Sequence, residues 1–420
     1  MNKSGEDSCT SQWILHHSLI RKIEDNLFNT EAIPVNKRTV FSSALGENTS
    51  FIVKNNQLPT TLPSNWKVEK QDDGLFKVEV DGELSVLLPD TISSKVCSAG
   101  QLPTGFDPAN LYQSRNHPRG LQLTVFAASD AVSSLGINWE QVKNRVPPDQ
   151  ISVYASSAMG QLDSNGSGGL LQAALQGRRT TSKNLPLGLA EMTADFVNAY
   201  VLGNVGTTGA NIGACATFLY NLRQGINDIK SGKYKVAIVG ASEAPLTPEV
   251  IEGYRKMGAL AEDEALAKID NIETKKVNHR LACRPFGENC GFTLSEGSQF
   301  VILFDDELAL ELGAEIYGSV ADVFVNADGF KKSIPGPGVG NYLTVGKAMG
   351  LIRSILGTES LRDRSYMQAH GTSTPQNRVT ESHIFNELAK AFAIKEWPIT
   401  AIKAYIGHSL ACASADQLIA

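Results

Sequence analysis

The chain has 420 residues, 42% of them hydrophobic, with 38 Lys and Arg against 44 Asp and Glu. This length can bury the cores of roughly two or three packed units, and the net charge of −6 excludes a general attraction to nucleic acid or to an anionic membrane. No apolar run is long enough to cross a bilayer, and the 6 scattered cysteines predict a reducing, cytoplasmic location rather than a disulfide framework.

Residues 1–100 are predicted to form an N-terminal extension made of a helix and a hairpin. The helix is predicted from apolar residues at helical spacing, namely Ile14, Leu15, Leu19, Ile23 and Leu27. The hairpin is predicted where Asp81-Gly82 joins two runs of alternating apolar residues, 76–80 and 84–86. No chemical motif lies in this region, so we expect it to support packing or dimer formation.

Residues 101–307 are predicted to form the first of two α/β halves. A run rich in alanine and leucine predicts a helix over Leu121–Leu135, and an apolar run predicts a buried strand over Ile151–Met159. A short helix is expected to begin at Leu170, and the β-branched run at 236–239 predicts another buried strand. This alternation of strands and helices is typical of an α/β fold.

Cys215 lies between the two predicted strands, among small residues and just ahead of a helical pattern. The helix is predicted from apolar residues at Leu219, Leu222, Ile226 and Ile229. Because the free N–H groups and the dipole of a helix N-terminus favour a thiolate, we predict a lowered pKa for Cys215. Its small neighbours leave room for a thioester, which makes Cys215 a candidate nucleophile. The alternative is a small, buried apolar residue.

The last part of the chain is predicted to repeat the α/β pattern, with a strand near Glu315–Val325 and a helix from Tyr342. Two apolar stretches then end at His370 and His408, each in a glycine-flanked segment where a buried strand is predicted to turn into a loop. Since α/β folds place their chemistry at such strand ends, both histidines are candidate catalytic residues.

Cys215, His370 and His408 with their flanks resemble the Cys-His-His triad of β-ketoacyl-acyl-carrier-protein synthases, the decarboxylating condensing enzymes of thiolase fold. The resemblance covers roughly residues 100–420. It extends to Ser242-Glu243-Ala244, Arg284-Pro285-Phe286, Gly291-Phe292, Glu296-Gly297 and the run His370-Gly371-Thr372-Ser373-Thr374-Pro375. The stretches 284–292 and 326–332 are most similar to the large divergent bacterial synthases that start fatty-acid synthesis from acetyl-CoA and malonyl-carrier protein.

This resemblance implies a thiolase-like, five-layer αβαβα architecture, built from two similar halves, 101–307 and 308–420, behind the N-terminal extension. It also implies a homodimer that receives acyl groups on CoA or on the phosphopantetheine of an acyl-carrier protein, with no resident cofactor or metal. Neither nucleic acid nor membrane is an expected partner. For docking of the acidic carrier protein, two basic patches are candidates, namely Arg178, Arg179 and Lys183, and Lys331 with Lys332.

The resemblance assigns roles to five residues. Cys215 would carry the acyl group as a thioester. The Nε2–H groups of His370 and His408 would stabilise the enolate that forms when a malonyl-thioester loses carbon dioxide. Lys403 and Glu381 stand where the family has a lysine and a structural glutamate, and we expect both to support the triad.

Two other functional classes stay open, and a metal site is a third, weaker interpretation. A non-decarboxylating thiolase-like acyltransferase would use a second cysteine, for which Cys412 is a candidate. A catalytically silent partner subunit, like a chain-length factor, would have lost its nucleophile, whereas Cys215 is present. Cys283 and Cys290 with His279 are too few to complete a regular metal motif.

The chain ends in the predicted helix after His408, whereas the family continues with two strands and a glycine-rich loop. We therefore expect the half 308–420 to be incomplete. An unpaired sheet edge and a lost oxyanion donor would make residues 1–420 alone aggregation-prone and nearly inactive.

Overall fold

The computed structural model describes residues 8–42, 49–327 and 338–420. Its strands are β1 Ile20–Lys22, β2 Ile33–Phe41, β3 Thr49–Lys54, β4 Trp66–Lys70, β5 Leu75–Val80, β6 Leu84–Ile92, β7 Ser98–Gly100, β8 Ile151–Ser156, β9 Thr207–Gly209, β10 Val236–Glu243, β11 Gly297–Phe304, β12 Met367–Gln368 and β13 Ile399–Thr400. Its helices are α1 Ser8–His17, α2 Arg119–Ser133, α3 Trp139–Arg145, α4 Ser167–Gln172, α5 Asn184–Leu187, α6 Met192–Phe196, α7 Thr217–Lys230, α8 Pro248–Lys256, α9 Asp263–Asp270, α10 Asp306–Leu312, α11 Val339–Asp363, α12 Pro375–Ala391, α13 Lys403–Ile406 and α14 Ala413–Ile419.

The chain divides into two compact units, of which the smaller is Asn29–Ser94 and the larger contains the described parts of Met1–Phe28 and Lys95–Ala420. The smaller unit consists of two antiparallel sheets, one pairing β2 with β6 and the other with β5 between β3 and β4. Its two ends are neighbours, because the Ser94 N–H donates to the Thr30 carbonyl at 2.7 Å.

The hairpin predicted at Asp81-Gly82 is wrong. Both alternating runs form strands, but β5 and β6 belong to different sheets. The side-chain amide of Asn65 donates to the carbonyls of Asp81 and Glu83, both at 3.1 Å. These bonds hold the chain in a turn that directs β6 away from β5. The alternation of apolar residues in the two strands does not reveal this contact with Asn65.

The larger unit is built on a four-stranded sheet of order β11-β10-β8-β9. The central strand β10 pairs parallel with β8 and antiparallel with β11, and all its residues are buried. Val153 and Ile238 belong to the apolar cluster on the α2 side, whereas Tyr154 and Val239 pack with Phe218 of α7. The sheet is therefore covered by a helix on each face, as near-continuous apolar strands require.

Several predicted elements of this unit are confirmed within a few residues. The helix over Leu121–Leu135 is α2, the strand over Ile151–Met159 is β8, and the short helix begins at Ser167, three residues ahead of Leu170. The strand near Glu315–Val325 is wrong, since residues 314–327 form no regular element. Two valines of that segment pack against the cluster of α7, so its apolar pattern reflects one-sided burial without a strand partner.

The N-terminal helix is shorter than predicted. It ends at His17, and Ile20–Lys22 instead pairs antiparallel with β7. Gly100 of β7 bridges to Ser295, and Leu294 bridges to His408. Backbone pairing with these distant segments overrides the helical spacing of the apolar residues, and it brings the beginning and the end of the described chain side by side.

The C-terminal part of the larger unit contains a small parallel sheet of two strands. β12 pairs with β13, and the helices α11 and α12 pack around them through an apolar cluster that includes Met349, Ile384 and Phe385. α11 is interrupted at Gly357, whose φ of 85° lies outside the helical region. The loops that follow β12 and β13 lead to the two candidate histidines.

Candidate active site

Cys215 lies in a short 3-10 turn, Ala214–Ala216, that leads directly into α7. Ala214 has a positive φ of 50°, a conformation that costs a residue with a side chain about 1–3 kcal/mol and needs support from its surroundings. Thr217 supplies that support, because its hydroxyl donates to the Ala214 carbonyl at 2.7 Å and accepts from the Gly213 N–H at 3.0 Å. The thiol is thus held at the start of a helix, as the sequence predicts.

His370 lies just beyond the carboxyl end of β12, in a loop that Glu381 of α12 fixes. The Glu381 carboxylate accepts from the backbone N–H groups of His370 and Gly371, both at 2.7 Å. Asn377 donates to the same carboxylate at 2.6 Å. Because Glu381 is only 8% exposed, these bonds satisfy a buried charge and fix the backbone of the histidine.

His408 is held by backbone pairing on both sides. Its N–H donates to the Thr293 carbonyl at 2.7 Å, and its carbonyl accepts from the Ser295 N–H at 3.0 Å. Gly407, with a φ of 82°, makes the turn that aligns the residue with this segment. The His408 ring is 2% exposed and lies against the Phe292 ring at a centroid distance of 5.1 Å.

The three candidate residues converge on one small volume. One donor atom from each of Cys215, His370 and His408 lies within 4.8 Å of the other two. The two imidazole rings are 5.3 Å apart between centroids and nearly perpendicular, at 82°. Three well-separated parts of the sequence therefore meet around the thiol.

Hydrogen bonds set the same tautomer for both histidines. The Leu410 N–H donates to Nδ1 of His408 at 3.0 Å, so this nitrogen is an acceptor. The Lys403 ammonium, which can only donate, lies 3.4 Å from Nδ1 of His370. In a neutral imidazole the proton then sits on Nε2, so each ring offers an Nε2–H donor.

Both histidines are uncharged at neutral pH. Burial of the ring lowers the pKa of His370 to about 3, with the positive charge of Lys403 as the second cause. Burial also lowers the pKa of His408 well below its usual range, and Lys403 and His370 add to this effect. Two neutral N–H donors beside a thiol can stabilise a developing negative charge without transferring a proton.

The predicted lowering of the Cys215 pKa is wrong in sign. Burial raises the pKa of this thiol, while the charge of Lys403 acts in the opposite direction as the next largest influence. The position at the helix start favours the thiolate, but removing the sulfur from water disfavours it by more. The sequence indicated the helix and could not indicate the extent of burial.

Lys403 is fully buried, at 0% exposure. Its ammonium contacts Nδ1 of His370 and donates to Oε1 of Gln417 at 3.0 Å. Burial lowers the Lys403 pKa, and the charge of Asp416 is the main opposing influence. The lysine therefore brings a positive charge next to His370, and this charge also acts on the Cys215 thiol.

The residues on which the alternative interpretations depend are either held in hydrogen bonds of the fold or too far apart to share a metal ion. Cys412 is fully buried and its thiol donates to the Gly297 carbonyl at 3.2 Å. His279 is hydrogen-bonded through Nδ1 to Ser98 at 2.9 Å. Among the described residues, Cys283, Cys290 and His279 do not form a cluster close enough to hold a metal ion.

The triad itself is the one such cluster within the described ranges. Cysteine and histidine are ligands that zinc accepts. The two Nε2 atoms carry protons, however, and a metal would have to displace them. The Lys403 ammonium beside His370 further disfavours a divalent cation.

Comparison with known proteins identifies the family. Residues 88–309 match the family described as beta-ketoacyl synthase, N-terminal domain, and residues 317–420 match beta-ketoacyl synthase, C-terminal domain. The chain belongs to the beta-ketoacyl synthase family. The resemblance seen in the sequence is thereby confirmed, while the predicted three-part division at residues 100 and 307 stays a prediction.

Two curated relatives illustrate the range of similarity. The chain is 54% identical over 406 residues to the beta-ketoacyl-[acyl-carrier-protein] synthase FabY of Pseudomonas aeruginosa, and the match covers 97% of this chain and 64% of that protein. It therefore spans less than two thirds of the length of FabY. It is 28% identical over 313 residues to 3-oxoacyl-[acyl-carrier-protein] synthase 2 of Staphylococcus aureus, covering 73% of this chain and 71% of that one.

Solved structures confirm the thiolase-like α/β fold. The crystal structure of the ketosynthase FabY from P. aeruginosa matches 99% of this chain and 65% of its own, with a TM-score of 0.94 and 53% identity. A beta-ketoacyl synthase from Burkholderia phymatum matches 78% of this chain and 74% of its own, with a TM-score of 0.63 and 23% identity. The second likeness concerns the fold alone.

No helix in the described ranges has the length and apolar character needed to cross a bilayer.

Sequence reasoning missed two residues next to the triad, the buried Glu243 and the half-buried Gln417. Glu243 ends β10, accepts from the Ser157 hydroxyl at 2.6 Å and from the Ala158 N–H at 2.8 Å, and has its pKa raised to about 7 by burial. Gln417 contacts Lys403. Glu243 lay in a recognised motif without an assigned role, whereas Gln417 lies in a short helix with no pattern to mark it.

Proposed function

We propose that the chain catalyses the decarboxylative Claisen condensation of an acyl primer with a malonyl group carried by an acyl-carrier protein, in fatty-acid biosynthesis. The observation that carries this proposal is the pair of neutral imidazoles, His370 and His408, whose Nδ1 atoms are both occupied beside the Cys215 thiol. Acetyl-CoA is the proposed primer, since the stretches 284–292 and 326–332 resemble those of synthases that initiate chains.

In the first half-reaction, Cys215 as thiolate attacks the carbonyl carbon of the primer thioester. A new C–S bond forms to Cys215, and the bond to the thiol of CoA, or to the phosphopantetheine of a carrier protein, breaks. The released thiolate takes up the proton that left Cys215. The positive charge of Lys403 supports this step, because it offsets part of the burial that raises the Cys215 pKa.

In the second half-reaction, the bond between the carboxylate and the methylene carbon of the malonyl group breaks. Carbon dioxide leaves, and the electron pair forms an enolate whose charge lies on the thioester oxygen. The Nε2–H groups of His370 and His408 donate to that oxygen, and one such donor is worth about 2.7–4 kcal/mol of barrier. The enolate carbon then attacks the carbonyl carbon of the acyl group on Cys215. The bond between that carbon and the sulfur breaks, and Cys215 leaves as a thiolate.

Lys403 and Glu381 have supporting roles in this proposal. Lys403 holds the His370 tautomer through the contact of 3.4 Å with Nδ1. Glu381 fixes the His370 backbone through its two bonds of 2.7 Å and takes part in no proton transfer. Both roles depend on the contacts described, and neither residue needs to touch the substrate.

The alternatives are less well supported. A non-decarboxylating thiolase-like enzyme needs a second cysteine that is free to exchange a proton. Cys412 donates to a backbone carbonyl, and burial raises its pKa well above the usual range. A silent partner subunit needs no intact triad, whereas the thiol and two histidines converge within 4.8 Å.

We also propose that the protein acts as a homodimer in the cytoplasm, with acyl-CoA and an acyl-carrier protein as its partners. Cys215, Cys283, Cys290 and Cys412 are all present as thiols, which suits a reducing compartment. For carrier docking, Arg178, Arg179 and Lys183 are exposed and remain candidates. Lys331 and Lys332 lie outside the described residues.

The test separates acylation from decarboxylation. Intact-mass analysis after exposure to acetyl-CoA should show one acetyl group on the wild-type protein, and none on Cys215→Ala. His370→Ala and His408→Ala should still acquire the acetyl group, but should release carbon dioxide from malonyl-carrier protein about 10²–10³-fold more slowly.

Cys290→Ala and His279→Ala serve as matched controls outside the triad, and both should behave like the wild type. Peptide mapping that finds the acetyl group on Cys283, Cys290 or Cys412 would contradict the assignment of the nucleophile. Normal carbon dioxide release by either histidine variant would contradict the role of the imidazoles.

A further inference from the structure

Gln417 lies on α14 and joins two parts of the active site through one side chain. Its amide oxygen accepts from the Lys403 ammonium at 3.0 Å. Its amide nitrogen donates to the carbonyls of Gln368 and Ala369, at 3.1 and 2.8 Å. These carbonyls belong to the strand and loop that lead into His370, so Gln417 connects the lysine to the segment that carries the histidine.

The contacts determine which end of the amide faces the lysine. Both donors of the –NH₂ group are taken by backbone carbonyls, which can only accept. The oxygen must therefore face the ammonium, which can only donate. A carboxylate of the same length could accept from Lys403, but it could not donate to the two carbonyls. The site thus requires an amide here for its hydrogen bonds.

Among the described residues, no carboxylate forms a direct ion pair with the Lys403 ammonium. The two polar contacts of the ammonium are to Nδ1 of His370 and to Gln417, both neutral groups. The nearest acids are engaged elsewhere: Asp416 accepts from Ser409 and, at 3.1 Å, from Gln299, while Glu381 accepts from backbone N–H groups.

We infer that Gln417 is a positioning residue, which holds the Lys403 ammonium against His370 and leaves its positive charge available to the Cys215 thiolate. This inference rests on the proposed function. Hydrogen bonding by a neutral partner fixes the position of the lysine, whereas a carboxylate would fix the position and cancel the charge. The neutrality of this side chain would then preserve the field at the sulfur, and its hydrogen bond would keep Lys403 in place beside His370.

Several titratable groups act on the thiol and on the lysine. Lys403 and Glu243 act on Cys215 in opposite directions, and Tyr254 lies within range of Cys215 and Glu243. The groups that favour the charged form of Lys403 are Asp416, Cys215, Cys283 and Glu381. Since none of these changes in a Gln417 variant, a shift in the Cys215 titration reports the altered partner of the lysine.

The test is the pH dependence of Cys215 alkylation by iodoacetamide, followed by intact mass on the full chain. In Gln417→Glu the new carboxylate pairs with Lys403, so the apparent pKa of Cys215 should rise by about one unit. Below both pKa values this makes alkylation roughly tenfold slower. An alkylation profile that is the same in Gln417→Glu and in the wild type would overturn the inference.

A neutral variant separates charge from position. Gln417→Met keeps the length and removes the acceptor, so the Cys215 profile should stay within about 0.3 units of wild type while decarboxylation falls about tenfold. Unchanged decarboxylation by Gln417→Met would also overturn the inference. Gln141→Glu adds the same charge on an exposed helix start, where glutamate keeps the capping role, and should change neither readout.

Alkylation requires no substrate and no turnover. If the proposed condensation were wrong, the wild type would fail to decarboxylate malonyl-carrier protein, but the alkylation profiles would still differ between Gln417→Glu and the wild type. If the inference about Gln417 were wrong, condensation would proceed normally and the profiles would coincide. The two failures are therefore distinguishable.

Discussion

His370 and His408 are kept uncharged by their surroundings rather than by the pH of the solution. Burial and the nearby charge of the Lys403 ammonium both lower the pKa of these rings. An uncharged ring donates from Nε2 equally well across the physiological range of pH. The strength of the two donors therefore does not depend on the pH in that range. Keeping the rings uncharged is expected to lower the free energy of unfolding as the pH falls.

Each histidine should make the protein less stable as the pH falls. In the unfolded chain a histidine binds a proton near its ordinary pKa of 6.5, whereas folded His370 has a pKa of about 3. Between these values the unfolded state holds more protons, so each ring contributes a slope of up to about 1.4 kcal/mol per pH unit, with stability rising as pH rises. His370→Asn and His408→Asn should each flatten the dependence, measured by urea unfolding between about pH 5 and about pH 7.

Glu243 acts with the opposite sign, which is why the comparison uses variants. Its pKa is raised from 4.5 to about 7 in the folded protein, so its contribution falls as the pH rises through that window. This contribution is common to the wild type and the histidine variants and cancels in their difference. Equal slopes for the wild type and both variants would show that the rings are accessible to protons in the folded state.

At the scale of elements, the position of Cys215 depends on how closely α7 approaches the sheet. The two are in close contact at Gly225, where an added Cβ would lie 2.7 Å from Cγ1 of Val239 and 3.2 Å from Cβ of Ala237. Neither neighbour can move freely, because both belong to the buried strand β10. A side chain at this position would push the helix, and with it the nucleophile turn, away from the sheet.

Gly225→Ala should therefore destabilise the protein although alanine favours helices. We expect a loss of about 1–3 kcal/mol from overpacking, which exceeds the gain of about 1 kcal/mol in helix propensity. Acylation of Cys215 by acetyl-CoA should slow in parallel, as followed by intact mass. Gly253→Ala is the matched control, since this glycine of α8 is exposed and has nothing within 4 Å of the added Cβ. If both variants were equally stable, the close approach would not constrain α7.

The success of sequence reasoning differed between elements for a physical reason. Strands buried on both faces, such as β8 and β10, are marked by their own apolar residues and were predicted. The separation of β5 and β6 into different sheets depends on a turn that Asn65, distant in sequence, holds in place, and it was not predicted. The thiol and histidines were found because glycine and small residues flank them. The raised pKa of Cys215 depends on packing that no local pattern records.

At the scale of the whole molecule, Asn29–Ser94 is an insertion in the larger unit. The chain enters and leaves it at neighbouring points, as the bond of 2.7 Å between Ser94 and Thr30 indicates. On the side of the larger unit, the Ile23 N–H donates to the Cys97 carbonyl at 2.8 Å. Units whose ends lie close together are commonly gained or lost without disturbing the host fold.

Replacing residues 29–94 by a glycine-serine linker of about four residues should therefore leave the larger unit folded. We expect Cys215 to be acylated at a rate within about twofold of the full chain, with a cooperative thermal transition retained. Deleting residues 8–22 is the contrasting control, because this segment includes β1, which pairs with β7. If acylation were lost when residues 29–94 are replaced but retained when residues 8–22 are deleted, the assignment of Asn29–Ser94 as a dispensable insertion would be contradicted.

The pairing of β1 and β7 beside the last histidine has a consequence for how the protein folds. The Leu19 N–H donates to the Tyr405 carbonyl at 2.8 Å, and the Ser18 hydroxyl bonds to the same carbonyl across 387 positions of sequence. Contacts between such distant positions form slowly, because a long loop must close before they stabilise anything. On the ribosome, at roughly 5–20 residues per second, Ser18 and Leu19 are synthesised tens of seconds before Tyr405, their hydrogen-bond partner. The nucleophile turn can fold early, whereas the segment that leads to His408 acquires its support only after Tyr405 has emerged, so catalytic competence develops later than the nucleophile turn itself.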